Sequence, residues 1–188
     1  MSINVNTSHQ IRSVCVYCGS RVGDKNNYEI LAADLGSSLA DAELELVYGA
    51  GSIGLMGILA RTALEGGGSV YGVIPKALDA HEITQNDLTE LHITKDMHER
   101  KNKMYTRADA FVVLPGGLGS LDEFFETLTW AQLSLHKKPI YLLNHNGYWN
   151  PLIALIDHVI DEGFAGEDTH DLYEVVEDVS QLMTAFGK

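Results

Sequence analysis

Ala110-Phe111-Val112-Val113-Leu114-Pro115-Gly116-Gly117-Leu118-Gly119-Ser120-Leu121-Asp122-Glu123 carries a strand, a turn and a helix start in succession. Ala110 to Leu114 is a continuous apolar run, as expected of a strand buried on both faces. A glycine-rich turn follows, and a helical pattern opens at Ser120 with carboxylates in its first turn. Such a turn exposes several backbone N–H groups at the positive end of a helix, which suits a phosphate. It also sets Glu123 one turn away, within reach of whatever the phosphate is attached to.

Outward from this segment the chain alternates β-rich runs with amphipathic stretches. Strands are expected at Ser13–Cys18, Leu44–Tyr48, Ser69–Ile74, Ala110–Leu114, Pro139–Leu143 and Leu172–Val176. Helical patterns lie near Tyr28–Ala40, Gly54–Glu65, Asp96–Arg107, Ser120–Leu135, Tyr148–Glu162 and Val179–Phe186. Apolar strands separated by helix-length segments predict an α/β fold, a doubly wound, Rossmann-like parallel sheet flanked by helices. At 188 residues and 45% hydrophobic content, residues 1–188 are expected to form a single domain, with Met1–Gln10 flexible. In such folds ligands sit beyond the carboxyl ends of the strands. Gly19-Ser20, Gly49-Ala50-Gly51-Ser52-Ile53-Gly54 and the Pro115–Glu123 loop all fall there.

Gly49 to Gly54 spells G-x-G-x-x-G, the dinucleotide fingerprint, which also needs an acidic residue at the end of the next strand. That strand instead ends in Pro75-Lys76, Asp79 comes too late, and the fingerprint is not on the first strand. A turn lining a mononucleotide pocket fits better than NAD(P).

The formal net charge of −13 argues against a nucleic-acid or anionic-membrane surface, since both need clustered cations. Of thirteen Lys and Arg residues, Lys95, Arg100, Lys101, Lys103 and Arg107 are close in sequence. On a helix, Arg100, Lys103 and Arg107 fall near one face. A solvated face balancing Asp96 and Glu99 accounts for Lys101 and Lys103. Arg100 differs, because its segment leads into the strand that delivers the Pro115–Glu123 loop, where a guanidinium can clamp phosphate or sugar oxygens. Asp122 is read as a favourable charge against the helix dipole. The two cysteines, Cys15 and Cys18, have redox spacing, but Cys15 lies inside a strand, so their sulfurs should diverge as reduced thiols. The histidines show no metal-ligand spacing and no lysine stands out as a Schiff-base site, so no cofactor is expected. A polar N-terminus and the lack of a bilayer-length apolar run predict a cytoplasmic protein without a membrane partner.

Met97-His98-Glu99-Arg100-Lys101 followed by Pro115-Gly116-Gly117-Leu118-Gly119-Ser120-Leu121-Asp122-Glu123 resembles the paired M-H-E-R-K and P-G-G-x-G-T-x-x-E motifs of the LONELY GUY (LOG) family. Cys15-Val16-Tyr17-Cys18-Gly19-Ser20, Val47-Tyr48-Gly49-Ala50-Gly51, Gly54-Leu55-Met56-Gly57 and Thr129-Trp130-Ala131-Gln132-Leu133 agree, so the likeness runs from about Ser13 to Gly163. Ser120 stands where threonine is usual and keeps the hydroxyl; Ala50 stands in a turn that is often Gly-Gly-Gly.

The resemblance implies a phosphoribohydrolase that cleaves the N-glycosidic bond of adenine-type nucleoside 5′-monophosphates, cytokinin precursors among them. It implies Arg100 and Glu123 as the catalytic pair, and Gly116, Gly117, Gly119 and Ser120 as the 5′-phosphate site. Gly19, Ser20, Met97 and Lys101 complete the expected substrate-binding set, with Met97 and Ser20 near the base. A non-catalytic nucleotide or molybdenum-cofactor carrier of the same fold is the alternative, though a carrier would not need Arg100 and Glu123 together. Phe124, Phe125, Leu128, Trp130, Ala131 and Leu133 leave their helix apolar over more than one face, which with the resemblance predicts a homodimer.

Overall fold

The alternation of apolar runs and amphipathic stretches closes into one parallel sheet. The computed structural model describes residues 10–25, 27–79, 85 and 87–188, so the expectation of a flexible start falls, for residues 1–9, outside the described residues. Strands β1 (Ser13–Tyr17), β2 (Glu45–Tyr48), β3 (Val70–Pro75), β4 (Glu90–Thr94), β5 (Ala110–Val113), β6 (Ile140–Leu143) and β7 (Glu174–Val176) lie in the order β4-β3-β2-β1-β5-β6-β7. Every neighbouring pair is parallel. The helices are α1 (Asn27–Asp41), α2 (Gly54–Glu65), α3 (Lys76–Asp79), α4 (Met97–Arg107), α5 (Leu118–Gln132), α6 (Asn150–Asp161) and α7 (Val179–Ala185).

Side-chain alternation along each strand feeds two cores. Val14 and Val16 of β1 pack with α1, α2 and α7, whereas Cys15 and Tyr17 pack with α4, α5 and α6. Phe124 on α5 and Phe111 on β5 are fully buried in the second core. Each such side chain contributes about 1.5–3 kcal/mol of burial energy. The sulfurs of Cys15 and Cys18 do diverge into different cores, and both are free thiols whose pKa burial drives far upward.

β4 is one strand more than the sequence pattern predicts. Of Glu90-Leu91-His92-Ile93-Thr94 only Thr94 is buried, because β4 is an edge strand, so its residues lack the apolar run that marks the interior strands. The start of α5 also differs. The helix begins at Leu118, not Ser120, which moves Asp122 and Glu123 out of the first turn. Leu118 is 86% exposed, so apolar periodicity could not mark it as a helix start.

The chain winds outward from β1 through β2 and β3 to β4, then returns to lay β5 against the other side of β1. The reversal point between β1 and β5 is where a doubly wound sheet opens a crevice at its carboxyl edge.

Candidate active site

At that crevice the strand-end turns are joined to one another. The Gly19 N–H donates to the Pro115 carbonyl at 3.1 Å, tying the end of β1 to the end of β5. The Gly19 carbonyl in turn accepts from the Leu55 N–H at 3.0 Å, tying in the start of α2. Residues Gly19–Gly23, Tyr28, Leu55, Pro115–Leu118 and Tyr148 enclose a cleft of about 470 Å³. Gly54 has φ +63°, and a Cβ there would fall on the Ser20 backbone, so glycine is required for the close approach.

The floor of the cleft is the opening of α5. Gly117 caps the helix with no side-chain hydrogen bond, so among the described residues the first-turn N–H groups have no capping acceptor. The Gly116 carbonyl accepts from the Tyr148 hydroxyl at 2.7 Å. Ser120 is buried beside Gly116, where a Cβ would meet its Oγ. An anion placed over Gly117, Gly119 and Ser120 meets N–H donors and the positive end of the helix dipole.

Asp96 caps α4 by accepting from the Glu99 N–H at 2.9 Å, which starts the helix and sets Arg100 in its second turn. Arg100 is the buried cation of that helix. Its Nη1 donates to Glu123 Oε1 at 2.8 Å, and its Nε donates to the Val73 carbonyl at 3.1 Å. Both side chains of the pair are 10% exposed. Neither Arg100 Nη2 nor Glu123 Oε2 has a hydrogen-bond partner among the described residues. Burial raises the Glu123 carboxyl above its ordinary value, and the Arg100 guanidinium opposes that rise by charge and hydrogen bond. The pair can therefore offer one cationic donor and one carboxylate oxygen to a bound molecule.

Glu123 is held from behind as well. Thr127 Oγ1 donates to the Glu123 carbonyl at 2.8 Å, and the Tyr17 hydroxyl lies 3.2 Å from Oγ1. The threonine's one proton is committed to that carbonyl, so the phenol is the donor to it. Tyr17, Thr127, Tyr28 and Tyr148 were not among the residues expected from sequence. Their side chains act through tertiary contacts with distant segments, and no local spacing signals that.

The other expected residues divide. Gly19, Ser20, Gly116 and Gly117 line the cleft, and Gly119 and Ser120 follow on α5. Lys101 is not on the cleft wall; it clamps α4 to α5 through Asp122 and Glu126, each at 3.1 Å. Burial lowers its ammonium pKa, but the two carboxylates outweigh that and the net shift is upward. Met97 is 40% exposed at the start of α4 and is likewise absent from the wall. The cationic face is also split in use. Arg107 pairs with Glu45 in a fork at 2.6 and 2.7 Å and lies over the Tyr71 ring, away from Glu123.

Comparison with known proteins fits this geometry. Residues 56–186 match the family described as "Possible lysine decarboxylase". The chain is 44% identical over 174 residues to the probable cytokinin riboside 5′-monophosphate phosphoribohydrolase LOG4 of Oryza sativa subsp. japonica, covering 93% of this chain and 76% of that one. It is 48% identical over 158 residues to the cytokinin riboside 5′-monophosphate phosphoribohydrolase LOG7 of Arabidopsis thaliana, covering 84% and 73%. Among solved structures, the molybdenum cofactor carrier protein of Chlamydomonas reinhardtii superposes with a TM-score of 0.69 at 22% identity, covering 93% of this chain and 95% of that one. At that identity the likeness speaks for the fold alone. Sequence motifs, relatives and fold thus agree, and the chain belongs to the LOG family.

Proposed function

We propose that this chain hydrolyses the N-glycosidic bond of adenosine 5′-monophosphate and its N6-modified, cytokinin-type derivatives, releasing the free base and ribose 5-phosphate. The observation that carries this reading is the buried Arg100–Glu123 pair, one helical turn beyond a helix start whose first N–H groups have no capping acceptor among the described residues. The 5′-phosphate rests on Gly116, Gly117, Gly119 and Ser120. Ribose then lies toward Glu123, and positive charge builds on it as the C1′–N bond breaks. The ionised Glu123 carboxylate stabilises that charge and takes a proton from the water whose oxygen bonds to C1′. The base leaves with the electron pair of the broken bond and is protonated from solvent. Arg100 holds Glu123 through Nη1 and presents Nη2 to a sugar or phosphate oxygen. Met97, which is outside the cleft wall and three residues before Arg100 on α4, is proposed to reach the base together with Ser20 once substrate is bound, and Lys101 backs the site through Asp122.

Remote binding energy at the phosphate orients the sugar, so an unphosphorylated riboside is a poor substrate. Release of base from AMP and N6-isopentenyl-AMP tests the reading. Glu123→Ala is expected to lower turnover by about 100-fold or more. Wild-type turnover in that variant, or equal turnover of the riboside, would refute it. AMP that survives prolonged incubation with the wild-type protein would favour the carrier reading instead.

The protein is further proposed to act as a homodimer through the outer face of α5, and in the cytoplasm, where its two free thiols stay reduced. No helix among the described residues is long and apolar enough to cross a membrane.

A further inference from the structure

The G-x-G-x-x-G turn after β2 has lost its dinucleotide reading, yet its first glycine is under a steric demand. A Cβ built on Gly49 would fall on Arg100 Nη2, 3.3 Å from Arg100 Cζ and 3.2 Å from Met56 Sδ. Gly49 does not have a positive φ, so alanine suits its backbone and only space forbids a side chain. The guanidinium is already committed on two other sides, to the Val73 carbonyl and to Glu123. Nη2 is the far end of a long side chain, and what resists a methyl group there is the anchoring of the guanidinium to Val73 and Glu123. Rotating away from Gly49 would also move Nη2, which has no hydrogen-bond partner among the described residues.

We infer that Gly49 is a positioning residue for Arg100. The missing side chain leaves a lane over the β2 turn in which the guanidinium lies, with Nη2 free for a sugar or phosphate oxygen of the nucleotide. The inference rests on the catalytic reading of the Arg100–Glu123 pair for its effect on rate, but not for its effect on structure.

A double-mutant cycle in the full chain separates the two. Gly49→Ala is expected to lower kcat/KM for AMP by about 100-fold, approaching Arg100→Ala, since a displacement of about 1 Å costs that much. The same variant should lower Tm by about 3 °C or more in the wild-type background. In the Arg100→Ala background, where only Met56 Sδ remains near the new methyl group, Gly49→Ala should lower Tm by clearly less than in the wild type and leave residual activity unchanged. Should Arg100→Ala not fold, Arg100→Lys serves, because lysine has no Nη2 arm. An equal Tm loss in both backgrounds, or full activity in Gly49→Ala where Arg100→Ala is itself impaired, overturns the inference. Full activity in Arg100→Ala with the Tm cycle as expected would instead sink the catalytic reading and leave the steric role standing.

Discussion

At the scale of single residues, the proposed chemistry turns on the charge state of Glu123. Burial pushes its carboxyl up, Arg100 pulls it down, Asp122 adds a lesser upward push and Lys101 a lesser pull downward. The net shift is upward, so the proposed rate, which needs the ionised form, should fall as pH drops through a value above the ordinary carboxylate pKa of about 4.3. Arg100→Ala removes the largest opposing influence while Glu123 stays buried, so the acid limb of its residual kcat/KM should move to higher pH. The measurement is kcat/KM for AMP across roughly pH 4 to 8, where such limbs report the free enzyme. An acid limb that stays in place or moves down in Arg100→Ala contradicts the electrostatic role given to the arginine. Lys101→Ala offers a graded contrast, with a smaller upward shift, because its ammonium is shared between Asp122 and Glu126.

At the scale of elements, the site depends on how closely turns from separate strands approach. Gly54 opens α2 in the left-handed region and sits against the Ser20 backbone. Gly54→Ala should therefore cost more than the 1–2 kcal/mol, roughly, of the left-handed conformation alone, because Ser20 must also shift. Thermal unfolding should show a Tm drop of about 4 °C or more, and KM for AMP should rise as the cleft wall moves. An unchanged Tm would mean that the turn has room to relax. Ala50 shows that φ alone is not decisive. At φ +60° it carries a Cβ and is fully buried, and that Cβ occupies space left open by Gly72 on β3. The same distinction explains what sequence could convey. β1, β2, β3, β5 and β6 were legible because burial on both faces makes each an apolar run, and the Pro115–Glu123 turn was legible because glycine and proline have strong local preferences. β4 was not, since an edge strand mixes Glu90 and His92 with Leu91 and Ile93. Arg100 and Glu123 could be singled out by charge and motif, but the Tyr148 hydroxyl on Gly116 and the Tyr17–Thr127 support link positions 32 and 110 residues apart. Contacts at that range leave no periodic trace.

At the scale of the whole molecule, the outer face of α5 joins the site to the surface. Phe124 and Leu128 bury its inner side, while Leu118, Phe125 and Leu133 remain 86, 37 and 63% exposed. Trp130 is half-buried edge-on to Tyr105, 4.8 Å between centroids, so the helix is not apolar all round within one chain. Its unpaired apolar stripe begins at Leu118, which also lines the cleft. A partner docked on that stripe would lie beside the proposed phosphate site. Phe125→Glu and Leu133→Glu place charges at exposed positions outside the cleft wall, so the fold should survive, with Tm changed by only a few degrees or less. If the homodimer proposal holds, sedimentation at micromolar concentration should give twice the 20.6 kDa chain mass for the wild type and the single-chain mass for the double variant. Desolvating a carboxylate in an apolar interface costs several kcal/mol or more, enough to separate a dimer of ordinary affinity. A wild-type protein that sediments as a monomer would leave the stripe without this partner. A double variant that stays dimeric would place the interface on another face, such as the exposed Leu155 and Phe164 around α6.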